Sequence, residues 1–220
     1  GLFVVIGNYG VTRQSYFLIL LMSLILSGVF ISDLWAGQQP FSRWLEEFKS
    51  EAIQAGISEA TIDKAFANVK PLENVLESDR NQPESKRTLD EYLSNTVNQL
   101  RVKKGQDQLR KNWKLFAAID KNYPVQSRFL VALWAIETDF GRNQGLIPVF
   151  QSLVTLSYDT RRSPYFKKEL LNALHILDQN KATLEQLKGS WAGAMGQVQF
   201  MPSVFLQNAV DFDNDGQVDI

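Results

Sequence analysis

An acidic residue ends a long apolar run in the stretch ALWAIETDFGRNQG, residues 132–145. The run covers residues 129–136 without a charged side chain, and Glu137 follows it directly. A helix that is apolar on every side is typical of a protein core, so these residues predict a buried helix with Glu137 at its C-terminal end. Burial, the neighbouring Trp134 and the negative end of the helix dipole would each favour the protonated carboxyl group.

A carboxyl group that keeps its proton near neutral pH can protonate a glycosidic oxygen. The alternative is that Glu137 faces solvent at a frayed helix end or pairs with Arg142. Hydrolytic glycosidases use two carboxyl groups at a set separation, whereas Asp139, two positions further along, points to a different side of a helix. We therefore expect Asp139 to solvate the helix end rather than to take part in catalysis.

The composition limits the chemistry that this chain can perform. Its 220 residues are 45% hydrophobic and 21% charged, which is typical of a globular protein. The absence of cysteine and the single histidine, His175, exclude thiol nucleophiles, disulfides and sites that need two imidazoles. A formal net charge of -1 gives no basic field for nucleic acid. Carboxylates, hydroxyls and amides remain as the functional groups.

The first residues have the layout of an export signal. The apolar stretch YFLILLMSLILSGVFI, residues 16–31, follows Arg13 and precedes the small-residue exit LWAG. This pattern predicts that residues 1–36 form a signal peptide with an upstream extension. A retained membrane anchor is the alternative, although the run is shorter than the about 20 residues that a spanning helix needs. In either case the chain leaves the cytoplasm.

The remainder of the chain has a helical pattern with few strand signals. The stretch FSRWLEEFKSEAIQAG, residues 41–56, has apolar residues at helical spacing and a closing glycine, and Ser58 can cap a second helix. The polar stretch ESDRNQPESKR, residues 77–87, predicts a connector. A helical stretch follows over residues 88–122, with a break expected near Gly105. The sequence therefore predicts a mainly α-helical domain.

A second stretch, KGSWAGAMGQVQFMPS, is rich in small residues and covers residues 188–203. Small residues let the backbone approach another segment or a ligand closely. Tight packing alone would explain these glycines and alanines. The hydroxyl of Ser190 and the amides of Gln197 and Gln199 also suit the hydroxyl and acetamide groups of a carbohydrate, so this stretch is a candidate binding loop.

Four motifs occur in a characteristic order: ALWAIETDFGRNQG, YDTRRSPYF, KGSWAGAMGQVQFMPS and AVDFDNDGQVDI. In this order they resemble the lytic murein transglycosylases of the B type, glycoside hydrolase family 103, and the resemblance covers nearly everything after residue 40. It implies a mainly α fold with a lysozyme-like transglycosylase core over residues 123–220, an N-terminal helical segment over residues 37–122 and an EF-hand-like loop. It also implies a core that is truncated at its C-terminal end.

The resemblance implies a reaction and a set of site residues. Glu137 matches the single catalytic glutamate, which acts first as acid on the bond between MurNAc and GlcNAc and then as base on the muramic 6-hydroxyl group. The product has a 1,6-anhydro ring, and neither water nor a catalytic cofactor is needed. Two other functions stay open, a non-catalytic peptidoglycan-binding protein and a hydrolytic muramidase. The matching substrate-binding residues are Tyr92, Arg161, Arg162, Tyr165, Ser190 and Gln199.

The last motif, DFDNDGQVDI, fits the opening of an EF-hand loop. Alternating carboxylates can converge on a hard cation, while Gly216 permits the turn; a solvated acidic turn is the alternative. The resemblance supports a structural Ca²⁺ and, in the periplasm, peptidoglycan glycan strands as partners, with an association with cell-wall synthesis enzymes left open. The predicted metal ligands are Asp211, Asp213, Asp215, Gln217 and Asp219.

Overall fold

The computed structural model describes residues 39–81 and 88–220, and these residues are mainly helical. The predicted signal peptide, residues 1–36, lies outside the described residues. Within them, no helix is long and apolar enough to cross a membrane. The helices are α1 (Phe41–Gln54), α2 (Glu59–Phe66), α3 (Glu73–Arg80), α4 (Leu89–Thr96), α5 (Gln99–Lys111), α6 (Trp113–Asn122), α7 (Ser127–Thr138), α8 (Val149–Tyr158), α9 (Ser163–Asp178) and α10 (Pro202–Asn208). Two short strands, β1 (Ile147–Pro148) and β2 (Lys188–Gly189), pair antiparallel.

Aromatic side chains connect α1, α2 and α8 in one core. Trp44, Phe48 and Ala52 are buried at intervals of four residues, as expected for one face of a helix. Trp44 stacks on Phe48 with ring centroids 5.5 Å apart, and Phe48 meets Phe66 edge-on at 6.1 Å. Phe66 meets Phe150 of α8 in the same way. The first helices are therefore built into the same core as α8.

The centre of this core is the pair α8 and α9. Most of α8 is buried, and α9 packs on α8, α2 and α10. A buried carboxylate, Glu169 of α9, accepts hydrogen bonds from the backbone nitrogen and the hydroxyl group of Ser203 at 2.9 and 2.7 Å. These bonds satisfy donors at the start of α10, which would otherwise lack partners inside the helix.

The predicted helix over residues 41–56 and its successor are confirmed. Helix α1 ends at Gln54, and Gly56 has a φ of 89° in the turn that follows. Ser58 caps α2 by accepting a hydrogen bond from the Thr61 backbone nitrogen. The first residues of the predicted connector, ESDR, instead form the end of α3, and residues 82–87 lie outside the described residues.

The predicted break near Gly105 is wrong. Gly105 lies buried inside α5, and the helical conformation is interrupted instead between α4 and α5 and at Asn112. A Cβ atom at Gly105 would lie 3.3 Å from Val131 Cγ1. The glycine therefore allows α5 to approach α7 closely, and this packing outweighs the low helix propensity of glycine.

The prediction that residues 129–136 pass through a core is also wrong. Only Val131, Ala135 and Thr138 of α7 are buried, and they share one helix face. That face meets α5 and α6, while no described residue covers the opposite face. An apolar run alone does not fix burial, because a folded surface retains many apolar atoms. The large exposed apolar side chains of α7 are Phe129, Leu133 and Ile136.

The helices on either side of the boundary expected at residue 122 pack into two groups. Helices α1–α3 contribute to the same hydrophobic core as α8–α10, whereas α5, α6 and α7 pack mainly on one another. The division into residues 37–122 and 123–220 stays a prediction. What matters for the site is that the end of α7 faces the segment that follows β2.

Candidate active site

The last turn of α7 presents Glu137 on an exposed face. Its carboxylate makes no hydrogen bond or ion pair with any residue in 39–81 or 88–220. The expected partial burial of Glu137 is therefore wrong, and its side chain faces solvent at the helix end, as the alternative predicted. The helix ends immediately afterwards, where Asp139, Phe140 and Gly141 have φ values of 49°, 63° and 80°.

Asp139, two positions after Glu137, has its charge balanced by two cations. Its carboxylate lies 3.3 Å from Lys104 Nζ of α5 and 3.2 Å from Arg142 Nη1. Arg142 thus pairs with Asp139, and the alternative pairing with Glu137 is not observed. The end of α7 consequently carries one free carboxylate, as the single-acid interpretation requires.

The small-residue stretch forms a tightly folded loop, residues 188–200, which we call the glycine loop. Gly189 and Phe200 each form a backbone bridge with Met195, so the loop doubles back twice. Ser190 Oγ accepts a hydrogen bond from the Ala194 backbone nitrogen at 3.2 Å. The Ser190 carbonyl oxygen accepts from the Ser152 hydroxyl group of α8 at 3.1 Å, which ties the loop to the core.

The glycine loop interlocks with the turn after α7, residues 139–145. A Cβ atom on Gly145 would lie 2.1 Å from the Gly189 carbonyl oxygen, so the two backbones touch there. Gln199 Nε2 donates hydrogen bonds to the Gln144 and Gly196 carbonyl oxygens, each at 3.0 Å. The small residues therefore do serve tight packing. This packing brings the segments that carry Ser190 and Gln199 against the segment that follows Glu137.

Arg161 and Arg162 are held at a different place, on the buried carboxylate of Asp79. Arg161 contacts Asp79 through Nε and Nη2, and Arg162 Nη2 donates to Asp79 Oδ1 at 2.6 Å. The Asp79 side chain is only 2% exposed, whereas both arginines remain about half exposed. No contact among the described residues joins this group to Glu137.

Tyr165 and Tyr92 complete the set of predicted binding residues. Burial of the phenol and the nearby Glu169 carboxylate raise the pKa of Tyr165, and Arg162 acts in the opposite direction. Since a tyrosine ordinarily ionises near pH 10, this phenol stays a hydrogen-bond donor at neutral pH. Tyr92 lies on α4 with its side chain partly exposed and has no hydrogen bond to another candidate residue in the described chain.

The acidic end brings three of the four predicted aspartate ligands together. Oxygen atoms of Asp211, Asp213 and Asp215 lie within 4.8 Å of one another, and Asp219 lies outside this group. Asp211 also accepts hydrogen bonds from the backbone nitrogens of Asp215 and Gly216 at 3.2 and 2.9 Å. Carboxylate oxygens that converge in this way fit a hard cation such as Ca²⁺.

Two residues that contact the candidate site segments, Asp79 and Thr138, could not be identified from the sequence. Asp79 lies 82 positions before Arg161, and no local pattern indicates such a distant pairing. Thr138 follows Glu137 directly, but a threonine in a helix pattern gives no signal that its hydroxyl group bonds another segment. The hydrogen bond from the Thr138 hydroxyl group to the Gln197 carbonyl oxygen can be seen only in the folded structure.

These features, a helical core, one free carboxylate at a helix end and an adjoining glycine loop, are the ones that the resemblance leads us to expect. The sequence profile described as Transglycosylase SLT domain matches residues 40–220. The chain belongs to this family, which confirms the family and the mainly helical, lysozyme-like fold class predicted from the motifs.

Individual relatives agree with the family. Membrane-bound lytic murein transglycosylase B of Escherichia coli is 37% identical over 116 residues, which cover 52% of this chain and 30% of the relative. SltB3 from Pseudomonas aeruginosa, solved in complex with NAG-NAM-pentapeptide, matches with a TM-score of 0.79 and 41% identity. That match covers 83% of this chain and 49% of the other. The same protein in complex with NAG-anhNAM-pentapeptide gives a TM-score of 0.78.

A further match is the lytic transglycosylase Slt35 of Escherichia coli, solved in complex with calcium. It has a TM-score of 0.70 and 29% identity, and the match covers 80% of this chain and 56% of Slt35. The chain thus spans about half the length of these solved relatives and about a third of the curated one.

Proposed function

We propose that this chain carries the acid–base centre of a lytic transglycosylase that cleaves the β-1,4 bond between MurNAc and GlcNAc in peptidoglycan. The observation that carries the proposal is the exposed, unpaired carboxylate of Glu137 beside Asp139, whose charge is already balanced. One free carboxyl group fits a reaction in which the same group acts first as acid and then as base. The two peptidoglycan fragments solved with SltB3 support this substrate class.

In the proposed reaction, protonated Glu137 gives its proton to the glycosidic oxygen while the bond from that oxygen to C1 of MurNAc breaks. The carboxylate then takes the proton of the MurNAc 6-hydroxyl group, whose oxygen bonds to C1 and closes the 1,6-anhydro ring. Glu137 regains its proton, and no water is consumed. Because Glu137 is exposed in the free chain, the bound glycan has to displace water from the carboxyl group before the proton is transferred.

The glycine loop offers two complementary groups for sugar hydroxyls. Gln199 uses both amide hydrogens on carbonyl oxygens of the protein, and its Oε1 has no hydrogen-bond partner among the described residues. That oxygen is an acceptor for a sugar hydroxyl group. Ser190 Oγ already accepts from Ala194, and its own hydrogen remains available for donation. We assign both residues to glycan binding.

The remaining proposed contacts lie on Arg161, Arg162, Tyr165 and Tyr92. Asp79 orients the two guanidinium groups but leaves them half exposed, so further N–H donors can meet carboxylates of the substrate. Tyr165 supplies a protonated phenol. Tyr92 offers a partly exposed ring on α4.

Product analysis on purified sacculi tests the proposed reaction. We expect soluble fragments that end in 1,6-anhydro-MurNAc, each lighter by one water molecule than the hydrolytic product in mass spectrometry. Fragments with reducing MurNAc ends would identify a muramidase instead. Binding to sacculi without any soluble fragment would identify a non-catalytic peptidoglycan-binding protein. Either of these results contradicts the proposed function.

We also propose that the acidic loop binds a structural Ca²⁺ through Asp211, Asp213 and Asp215, with Gln217 and Asp219 as further ligands. The converging oxygens and the calcium complex of Slt35 support this site. A cation that binds only the folded chain raises its stability by mass action. Calcium should therefore raise the thermal midpoint of the wild type and leave that of Asp213→Asn unchanged, and an equal rise in both proteins would contradict the site.

The proposed location is the periplasm, reached through the signal peptide of residues 1–36. The apolar stretch of residues 16–31 supports this proposal. N-terminal sequencing of the mature protein from a cell-envelope fraction tests the proposal. A new N-terminus near residue 37 indicates cleavage, whereas an intact first segment in the membrane fraction indicates a retained anchor.

A further inference from the structure

Thr138 is the buried neighbour of the exposed Glu137. Its side chain is 1% exposed, and its hydroxyl group donates a hydrogen bond to the Gln197 carbonyl oxygen at 2.7 Å. The hydroxyl oxygen of Thr138 also accepts a hydrogen bond from the Gly141 backbone nitrogen at 2.9 Å. The carbonyl oxygen of Trp134, the alternative acceptor within the helix, is more distant at 3.4 Å. One hydroxyl group therefore links α7, the turn after it and the glycine loop.

The contacts around this hydroxyl group leave little freedom for a shift of the loop. The side chain of Gln197 covers Gly141, where an added Cβ atom would lie 2.8 Å from Gln197 Oε1. Two residues further, Gln199 is anchored on the Gln144 carbonyl oxygen. The hydrogen bond of Thr138 thus ends two residues from Gln199 and begins one residue from Glu137.

We propose that Thr138 is a positioning residue, whose hydroxyl group fixes the glycine loop with Gln199 at a set distance from Glu137. The proposal rests on the proposed function, in which Glu137 transfers the proton and Gln199 binds the glycan. A displacement of about 1 Å between an acid and its bound substrate can cost about 100-fold in rate. Thr138 would act through the loop without touching the substrate.

Two substitutions separate the hydrogen bonds of Thr138 from its packing. Thr138→Val keeps the shape of the side chain and removes both hydrogen bonds, whereas Thr138→Ser keeps the hydroxyl group and removes one methyl group. Thr155→Val is the matched control. Thr155 is equally buried, donates to the Gln151 carbonyl oxygen at 2.7 Å and accepts from the Leu72 backbone nitrogen at 3.0 Å, in the core.

The test measures kcat and KM on soluble peptidoglycan strands with the full chain, at a temperature below every unfolding midpoint. We expect Thr138→Val to lower kcat by about 10- to 100-fold, Thr138→Ser to stay within about threefold of the wild type, and Thr155→Val to leave kcat unchanged. An equal kcat for Thr138→Val and Thr155→Val would overturn the proposal, as would a serine variant as impaired as the valine variant.

A second measurement separates this inference from the proposed function. If the wild type releases no fragments, the proposed function is contradicted, and Thr138 is judged by the affinity for NAG-NAM-pentapeptide in calorimetry. Binding by Thr138→Val about tenfold weaker than by Thr155→Val would still support a loop positioned by Thr138. Equal affinities, or no binding even by the wild type, would overturn the inference.

Discussion

Two acidic residues at the end of α7 differ in function because they differ in partners. Asp139 adopts a left-handed backbone conformation and meets Lys104 and Arg142, whereas Glu137 meets no cation among the described residues. Paired carboxylates are held in their charged form by their partners. A group that has to release and regain a proton must be free of such partners, as Glu137 is among the described residues.

Two glycines with similar φ values, Gly145 and Gly56, differ in what surrounds them. Gly145 and Gly56 have φ values of 86° and 89°, but only Gly145 touches another backbone, that of Gly189. Gly56→Ala should cost about 1–2 kcal/mol of folding free energy through the left-handed conformation alone. Gly145→Ala should cost about 1–3 kcal/mol more, because the loop has to move away. Urea denaturation measures both, and equal losses would show that the close approach is unimportant.

The residue types in the site could be predicted from the sequence, but their burial could not. Glu137 and the glycine loop have recognisable local patterns, and the structure places the segments that carry them against each other. The exposure of Glu137 depends instead on which face of α7 has neighbours. That information lies in the packing of α5 and α6, which no local pattern contains.

At the level of elements, a buried acid joins α3 to the turn between α8 and α9. Asp79→Asn removes the buried charge that holds Arg161 and Arg162 and leaves their N–H groups with a poorer acceptor. We expect a loss of about 1–3 kcal/mol in the free energy of unfolding. The exposed Asp63 of α2 provides the control, since Asp63→Asn should stay within about 0.5 kcal/mol of the wild type. Similar losses in both variants would contradict a role for the buried pairs.

The hydrogen bonds that join α2 to the end of α9 depend on pH. Asp178, at the end of α9, accepts hydrogen bonds from the hydroxyl groups of Ser58 and Thr61 at the start of α2, at 2.5 and 2.7 Å. The Ser58 bond, followed by that of Thr61, lowers the pKa of Asp178 below its ordinary value. The stabilisation of the fold by the ionised carboxylate of Asp178 is fully present above the ordinary pKa of about 3.9. It is lost as the pH falls through the lowered pKa.

Asp178→Asn should therefore destabilise the chain at neutral pH, and the difference from the wild type should shrink on acidification. Urea midpoints of both proteins from about pH 6 down to about pH 2 measure this change, since the effect lies around and below the ordinary pKa of aspartate. A difference that stays constant over this range would contradict the account of the α2–α9 link.

The first two helices, α1 and α2, followed from local patterns, because capping residues and apolar spacing act over a few positions. The break expected at Gly105 failed for a reason that lies outside α5. A Cβ atom at position 105 would meet Val131 of α7 at 3.3 Å. Propensity predicted a weak point where close tertiary packing favours a glycine within a continuous helix.

In the described chain as a whole, two groups of helices meet at the site. One contains α1–α3 and α8–α10 around the aromatic core, and the other contains α5–α7. The glycine loop belongs to the first group and Glu137 to the second. The contacts of the turn at residues 139–145 therefore set the geometry between the proposed acid and the proposed glycan-binding loop.

The central claim is that Glu137 transfers the proton during glycan cleavage, and Glu137→Gln tests it most directly. Release of fragments from sacculi and binding to sacculi are measured for the wild type, for this variant and for Glu59→Gln, an exposed control on α2. We predict that Glu137→Gln binds like the wild type but releases fragments about 10²- to 10⁴-fold more slowly, the contribution of general acid–base catalysis, while Glu59→Gln is unaffected. Release by Glu137→Gln at the wild-type rate would contradict the claim.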